Sequence, residues 1–207
     1  MNKIILFGIA VAATTIASCT SNNHSAQKDH SMMNHDSTMN MQDDKMPEEE
    51  VKLISATFTS VDAGVSTAIE SMLNHYLEIK NALVEDDVEK AATSSKSILS
   101  GMKGFDKSLL TAEQKKVYDA IESDLKEHAE HISKSELDLQ REHFIMMSTD
   151  MYDLVKAFGA GMTVYHEYCP MANDNKGAMW LSESKEIRNP YFGDKMMTCG
   201  SVEEMFQ

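Results

Sequence analysis

The chain has 207 residues, with 33 acidic against 19 basic side chains and a formal net charge of −14 at pH 7. Such acidity disfavours nucleic acid and anionic membrane surfaces as partners and prescribes no specific one. With 42% hydrophobic residues, a chain of this length can build one domain around a real core.

Residues 1–18 read as an export signal: Lys3 supplies the positive start, Ile4 to Ala13 form an apolar run, and small residues follow. The run is too short to cross a bilayer. It ends in Ile16-Ala17-Ser18-Cys19, the pattern of a bacterial lipobox, which makes Cys19 the expected lipidated N-terminus of the mature chain. Removing 1–18 takes away only Lys3 among charged groups and moves the formal charge from −14 to −15. The expected location is the periplasm, lipid-anchored in the outer rather than the inner membrane; no acidic run directly follows Cys19, which favours the periplasmic face over surface display.

Residues 19–55 read as a disordered tether, too polar to bury the apolar area that would offset chain entropy. This stretch also carries His24, His30, Met32, Met33, His35, Met39, Met41 and Met46. Linkers seldom spend so many positions on methionine, and thioether and imidazole donors suit loose capture of copper.

From 56 onward the apolar spacing becomes helical. Val65, Ile69, Met72, Leu73, Tyr76 and Leu83 form one stripe, and Val88–Met102 makes a shorter second helix. Thr111 with Gln114 three positions on predicts the N-cap of a third helix, whose face runs through Val117, Ile121, Leu125, His128 and Ile132. Phe144, Met147, Met151, Leu154, Val155 and Phe158 mark a fourth, stopped by Gly159 and Gly161. Met147 and Met151 read as core gap-fillers. His128 and His131 are one turn apart and can chelate, though the commoner reading is a packed His128; His75 and His143 read as solvated.

The pattern predicts an all-α protein: an antiparallel four-helix bundle over 56–207 with a small irregular C-terminal cap at about 162–207. Within the cap, 162–168 reads as a short extended segment. Trp180, Leu181, Ile187, Tyr191 and Phe192 read as anchors, and Asn189-Pro190 and Gly193 as turns.

The cap carries Cys169, Met171, Met196 and Cys199, with Met197 and His166 as further candidate donors. Alternate residues of an extended strand share a face, so Cys169 and Met171 can point together; Met196 and Cys199, three apart, can meet on a helical turn. Two thiols with thioethers make a soft shell suited to copper(I) or silver(I). The alternative is a Cys169–Cys199 disulfide, which closes a loop of about 30 residues for roughly 3–4 kcal/mol; a redox-switched pair combines the two. Paired zinc spacing and a CxxC redox motif are both absent from the sequence.

The stretches Tyr168-Cys169-Pro170-Met171-Ala172, Trp180-Leu181-Ser182, Asn189-Pro190-Tyr191-Phe192-Gly193 and Met196 to Gly200 resemble a domain family of undefined function. Its members are found as lone exported proteins and as C-terminal extensions of CusB-type copper and silver efflux adaptors. Over about 61–205, the resemblance implies a helical periplasmic domain associated with copper or silver export, with Cys169, Met171, Met196 and Cys199 as soft-metal ligands.

The sequence contains no GxSxG, HExxH, P-loop or CxxCH motif, and the expectation is a non-catalytic protein. The leading reading is a lipid-anchored periplasmic protein that binds copper(I) or silver(I) and buffers it or hands it to an efflux adaptor or pump. The alternative is a non-catalytic interaction module that docks such an adaptor, its two cysteines bridged.

Overall fold

The computed structural model describes residues 51–207. The signal segment, Cys19 and the His/Met tract, including His24, His30, Met32, Met33, His35, Met39, Met41 and Met46, lie outside the described residues.

Four long helices follow their apolar stripes: α1 (Ala63–Val84), α2 (Val88–Gly104), α3 (Ala112–Ile132) and α4 (Leu137–Phe158). Three of them start on a side-chain oxygen that takes up an otherwise unpaired N–H. Asp62 accepts from Gly64 and Asp87 from Lys90; Thr111 and Gln114 close a reciprocal capping box at α3. Gln114 also donates to the Ser60 carbonyl, which fastens the lead-in segment to the start of α3. The helices pack in sequence, with α1 on α2, α2 on α3 and α3 on α4, and α4 closes against α1.

The expected all-α bundle with an irregular cap is overturned. The C-terminal region is a four-stranded mixed sheet in the order β1-β4-β2-β3, which makes the fold a mixed α and β one. Its strands are β1 (Lys52–Ile54), β2 (Val164–Cys169), β3 (Ala178–Ser182) and β4 (Ser201–Phe206), with a four-residue helical turn α5 (Ala172–Asn175) between β2 and β3. β2 pairs antiparallel with both β3 and β4, and β1 runs parallel to β4. The sheet recruits Lys52–Ile54, a stretch read from sequence as tether, through pairing about 150 residues away along the chain. Helical periodicity carries no signal for such a long-range partner.

The sheet is fixed to the helices by a few buried polar ties. Tyr76 on α1 is wholly buried and stacks on Phe144 of α4 at 4.9 Å. Its hydroxyl lies 2.8 Å from Ser148 Oγ and accepts the Leu181 N–H of β3 at 3.0 Å. One side chain thus joins two helices and a strand. Nearby, Lys80 of α1, only 2% exposed, pairs with Glu183 at 2.9 Å just beyond β3. Glu167 on β2 is fully buried; burial raises its pKa to about 8, against the pull of Lys80.

Two predictions follow from these ties. Tyr76→Phe keeps the packing but strands the Leu181 N–H, and should cost about 1–3 kcal/mol in denaturant unfolding; an unchanged midpoint would show that the hydroxyl ties nothing. Glu167 holds its proton more tightly folded than unfolded, so in the metal-free chain its contribution is full below about pH 4.5 and falls as pH rises towards about 8. Thermal melts of Glu167→Gln should show a gain over wild type that is larger at pH 8 than at pH 5.

Candidate functional site

The register of β2 on β4 builds the site. Tyr168 pairs with Ser201, so one step further along each strand Cys169 comes level with Gly200 and beside Cys199. Gly200 has φ 147°, and a Cβ there would sit 2.9 Å from the Trp180 ring and 3.0 Å from the Tyr168 carbonyl, so a side chain at this position would crowd both.

After Cys169 the chain reverses through Pro170, Met171 and α5. Asn173, Asp174 and Asn175 all take left-handed backbone angles (φ 53°, 55° and 63°), a conformation that Asn and Asp tolerate better than other side chains. That run swings the chain back into β3, where Ala178 pairs with Cys169.

The segment carrying Met196 to Cys199 is organised by Asn189, which is fully buried. Its N–H donates to the Met197 carbonyl at 2.8 Å, its Nδ2 donates to the Cys199 carbonyl at 2.8 Å, and its Oδ1 accepts the Tyr191 N–H at 2.8 Å. Arg141 of α4 holds the same turn from outside, donating to the Pro190 carbonyl and to the Leu83 carbonyl at the end of α1, both at 2.8 Å. The loop is therefore tied to two helices before it reaches Cys199.

Both cysteines are free thiols, Cys169 fully buried and Cys199 half-buried. The thiol of Cys199 is held above its ordinary pKa, first by its hydrogen bond with the Cys169 thiol and then by burial, while the Met171 N–H at its sulfur pulls the other way. The two thiols are thus near neighbours. Met171, 47% exposed, and Met196, half-buried, both line an open cavity of about 720 Å³, with Tyr191, Phe192, Glu142 and Lys176 among its other walls.

Of the sequence-predicted donors, the structure brings Cys169 and Cys199 together, with the Met171 backbone at the Cys199 sulfur and the Met171 and Met196 side chains sharing the adjoining cavity. Met197 is half-buried in the same turn, its carbonyl taken by Asn189. His166 is held elsewhere: alternation along β2 puts it on the opposite side from Cys169, its ring 5.0 Å from that of Tyr152 and its Nδ1 3.8 Å from Glu204. Asn189 was legible only as a turn residue, because nothing in an Asn-Pro pair announces that the side chain will be buried with every polar atom engaged. Among the described residues no group of three His, Cys, Asp or Glu side chains is arranged to hold a metal; thioether sulfur is not among those donor types.

Chemically, a dithiol with neighbouring thioethers is a soft, low-coordination donor set. The Cys199 thiol, held above its ordinary pKa, is protonated at neutral pH, so a cation bound there must displace its proton, and affinity rises with pH. Exposure orders their reactivity: iodoacetamide should label Cys199 first in the folded chain, and Cys169 only on unfolding, as followed by intact mass over time. Asn189→Ala should speed Cys199 labelling by releasing its loop. Equal labelling rates at the two cysteines of the native protein would contradict this geometry.

No curated protein and no solved structure gives a significant match to this chain. A family described as protein of unknown function (DUF3347) matches residues 72–163, from the middle of α1 to the doorstep of β2. The helical part of the chain therefore carries the likeness to this family, whose function is undefined, and Cys169 on β2 and Cys199 in the loop before β4 lie beyond the matched stretch.

Proposed function

We propose that this chain is an exported, lipid-anchored protein that binds copper(I) or silver(I) through Cys169 and Cys199 with help from Met171 and Met196, and buffers the ion or passes it to an efflux system. The observation that carries the reading is the neighbouring placement of two free thiols, with Met171 and Met196, close to them along the chain, walling an open cavity. Soft cations favour thiolate and thioether donors over water and carboxylate, and the cavity leaves the Met171 and Met196 side chains open to an arriving ion or donor protein. The sequence adds two agreeing features, the lipobox ending at Cys19 and the His/Met tract from His24 to Met46. The tract is the natural first point of capture, since thioethers need no deprotonation, and the dithiol is the tighter holding site.

The same neighbouring thiols support the second reading, an interaction module for an efflux adaptor, since two free cysteines that strand register sets side by side are the pair a disulfide would join. In an exported protein an oxidised pair would staple β2 to the loop before β4.

One anaerobic experiment separates the two. The full exported chain is titrated with copper(I) against a chromophoric copper(I) chelator, alongside Cys169→Ser/Cys199→Ser and Met171→Leu/Met196→Leu. The expected result is loss of the tightest equivalent in the cysteine variant and a weakening of about tenfold or more in the methionine variant. Unchanged affinity in the cysteine variant would overturn the metal reading. Intact mass two hydrogens short in protein isolated without reductant would favour the staple.

A further inference from the structure

Three histidines meet between α3 and α4, far from the sulfurs in sequence. His128 Nδ1 and His143 Nδ1 face each other at 3.3 Å, and the His131 ring lies flat on that of His143, with centroids 4.1 Å apart and planes 6° off parallel. All three are half-buried. On its other side, His128 Nε2 looks towards Asp150 Oδ2 at 3.9 Å, an oxygen that is buried and has no hydrogen-bond partner. Two imidazole nitrogens and an orphaned carboxylate oxygen thus lie in line through one ring.

We propose that His128 and His143 are two ligands of a second cation site, completed by His131, for a borderline divalent transition ion such as zinc(II) or copper(II). Zinc bonds imidazole nitrogen at about 2.0–2.1 Å, and two such bonds at a tetrahedral angle set their nitrogens about 3.3–3.4 Å apart. The observed separation of 3.3 Å matches that spacing. Without one, the pair has only a long N–H···N contact, and both Nδ1 atoms cannot carry protons at once. With one, both rings become Nε2–H tautomers, and His128 turns its free N–H to the Asp150 oxygen that lacks a donor. Outer carboxylates of this kind fix the tautomer and raise the basicity of a ligating imidazole.

The surroundings suit a cation. Burial lowers the pKa of His128 and of His143, and the neighbouring histidines add to the effect, which keeps the rings neutral and their lone pairs free. Asp124, Glu127 and Glu142 stand close enough to act on these rings. The site is half-built: among the described residues no set of three His, Cys, Asp or Glu donors is already clustered for a metal, and His131 must turn off the face of His143 to become the third ligand. Imidazole donors distinguish it from the soft sulfur pair, so the two sites sort ions by softness. The inference stands whether or not the sulfur reading does.

The test uses the full exported chain carrying Cys169→Ser and Cys199→Ser, titrated with zinc(II) alone and followed by imidazole ¹H–¹⁵N spectra. The expected result is metal-bound shifts at Nδ1 of His128 and His143, saturating together. His143→Gln should weaken zinc binding by about a hundredfold, and Asp150→Asn by about tenfold. Shifts confined to His24, His30 and His35, or a His143→Gln protein that binds zinc as tightly as its parent, would overturn the proposal. Because the spectra report each ring in the parent protein, a variant that fails to fold leaves the first readout decisive.

Discussion

Strand β2 is the member on which the C-terminal half hangs, because it is hydrogen-bonded along both edges, to β3 and to β4. Its six residues carry the sheet's buried carboxylate, Glu167, and one thiol, Cys169, on the same side two positions apart. A slip of one residue would turn both outward and bring His166 and Tyr168 inward. The bulge between His166 and Glu167 on the β4 side shifts the pairing so that Tyr168 meets Ser201, and that shift delivers Cys199 to Cys169. The sulfur pair is thus a product of strand register more than of local sequence.

Around this strand the fold spends buried polar groups that a plain helical bundle would not need. Tyr76, Lys80, Glu167, Ser148 and Asn189 are all essentially inaccessible. Tyr76 and Ser148 satisfy each other and a strand N–H, and Asn189 satisfies three backbone groups of one loop. Such groups are costly when unpaired and directional when paired, so they specify one seating of the sheet on the helices. The two free thiols are thus carried on a frame held by directional buried ties.

The helices were legible because their signals are local: a stripe repeating every three or four residues, and a Thr111–Gln114 capping box that forms as read. The sheet was not. β4 contains two adjacent glutamates and β1 lies in a polar stretch, so neither looks like a strand until its partner is known. The extended reading at 162–168 caught β2 but not its neighbours. At the site, the cysteines stood out as rare residues in a chain whose start reads as an export signal, whereas Asn189 and Arg141, which hold their loop, did not. His143 reads as solvated on its own helix; only the packing of α3 on α4 brings it against His128 and His131.

Trp180, the sole tryptophan of the chain, is fully buried on β3, edge-on to Tyr191 at 5.8 Å and close against Gly200, the residue next to Cys199. Its indole therefore sits within a few ångströms of the backbone that carries Cys199 into β4. The fold thus has an intrinsic fluorophore installed near its two free thiols, so a change at either cysteine is open to optical observation without any attached label.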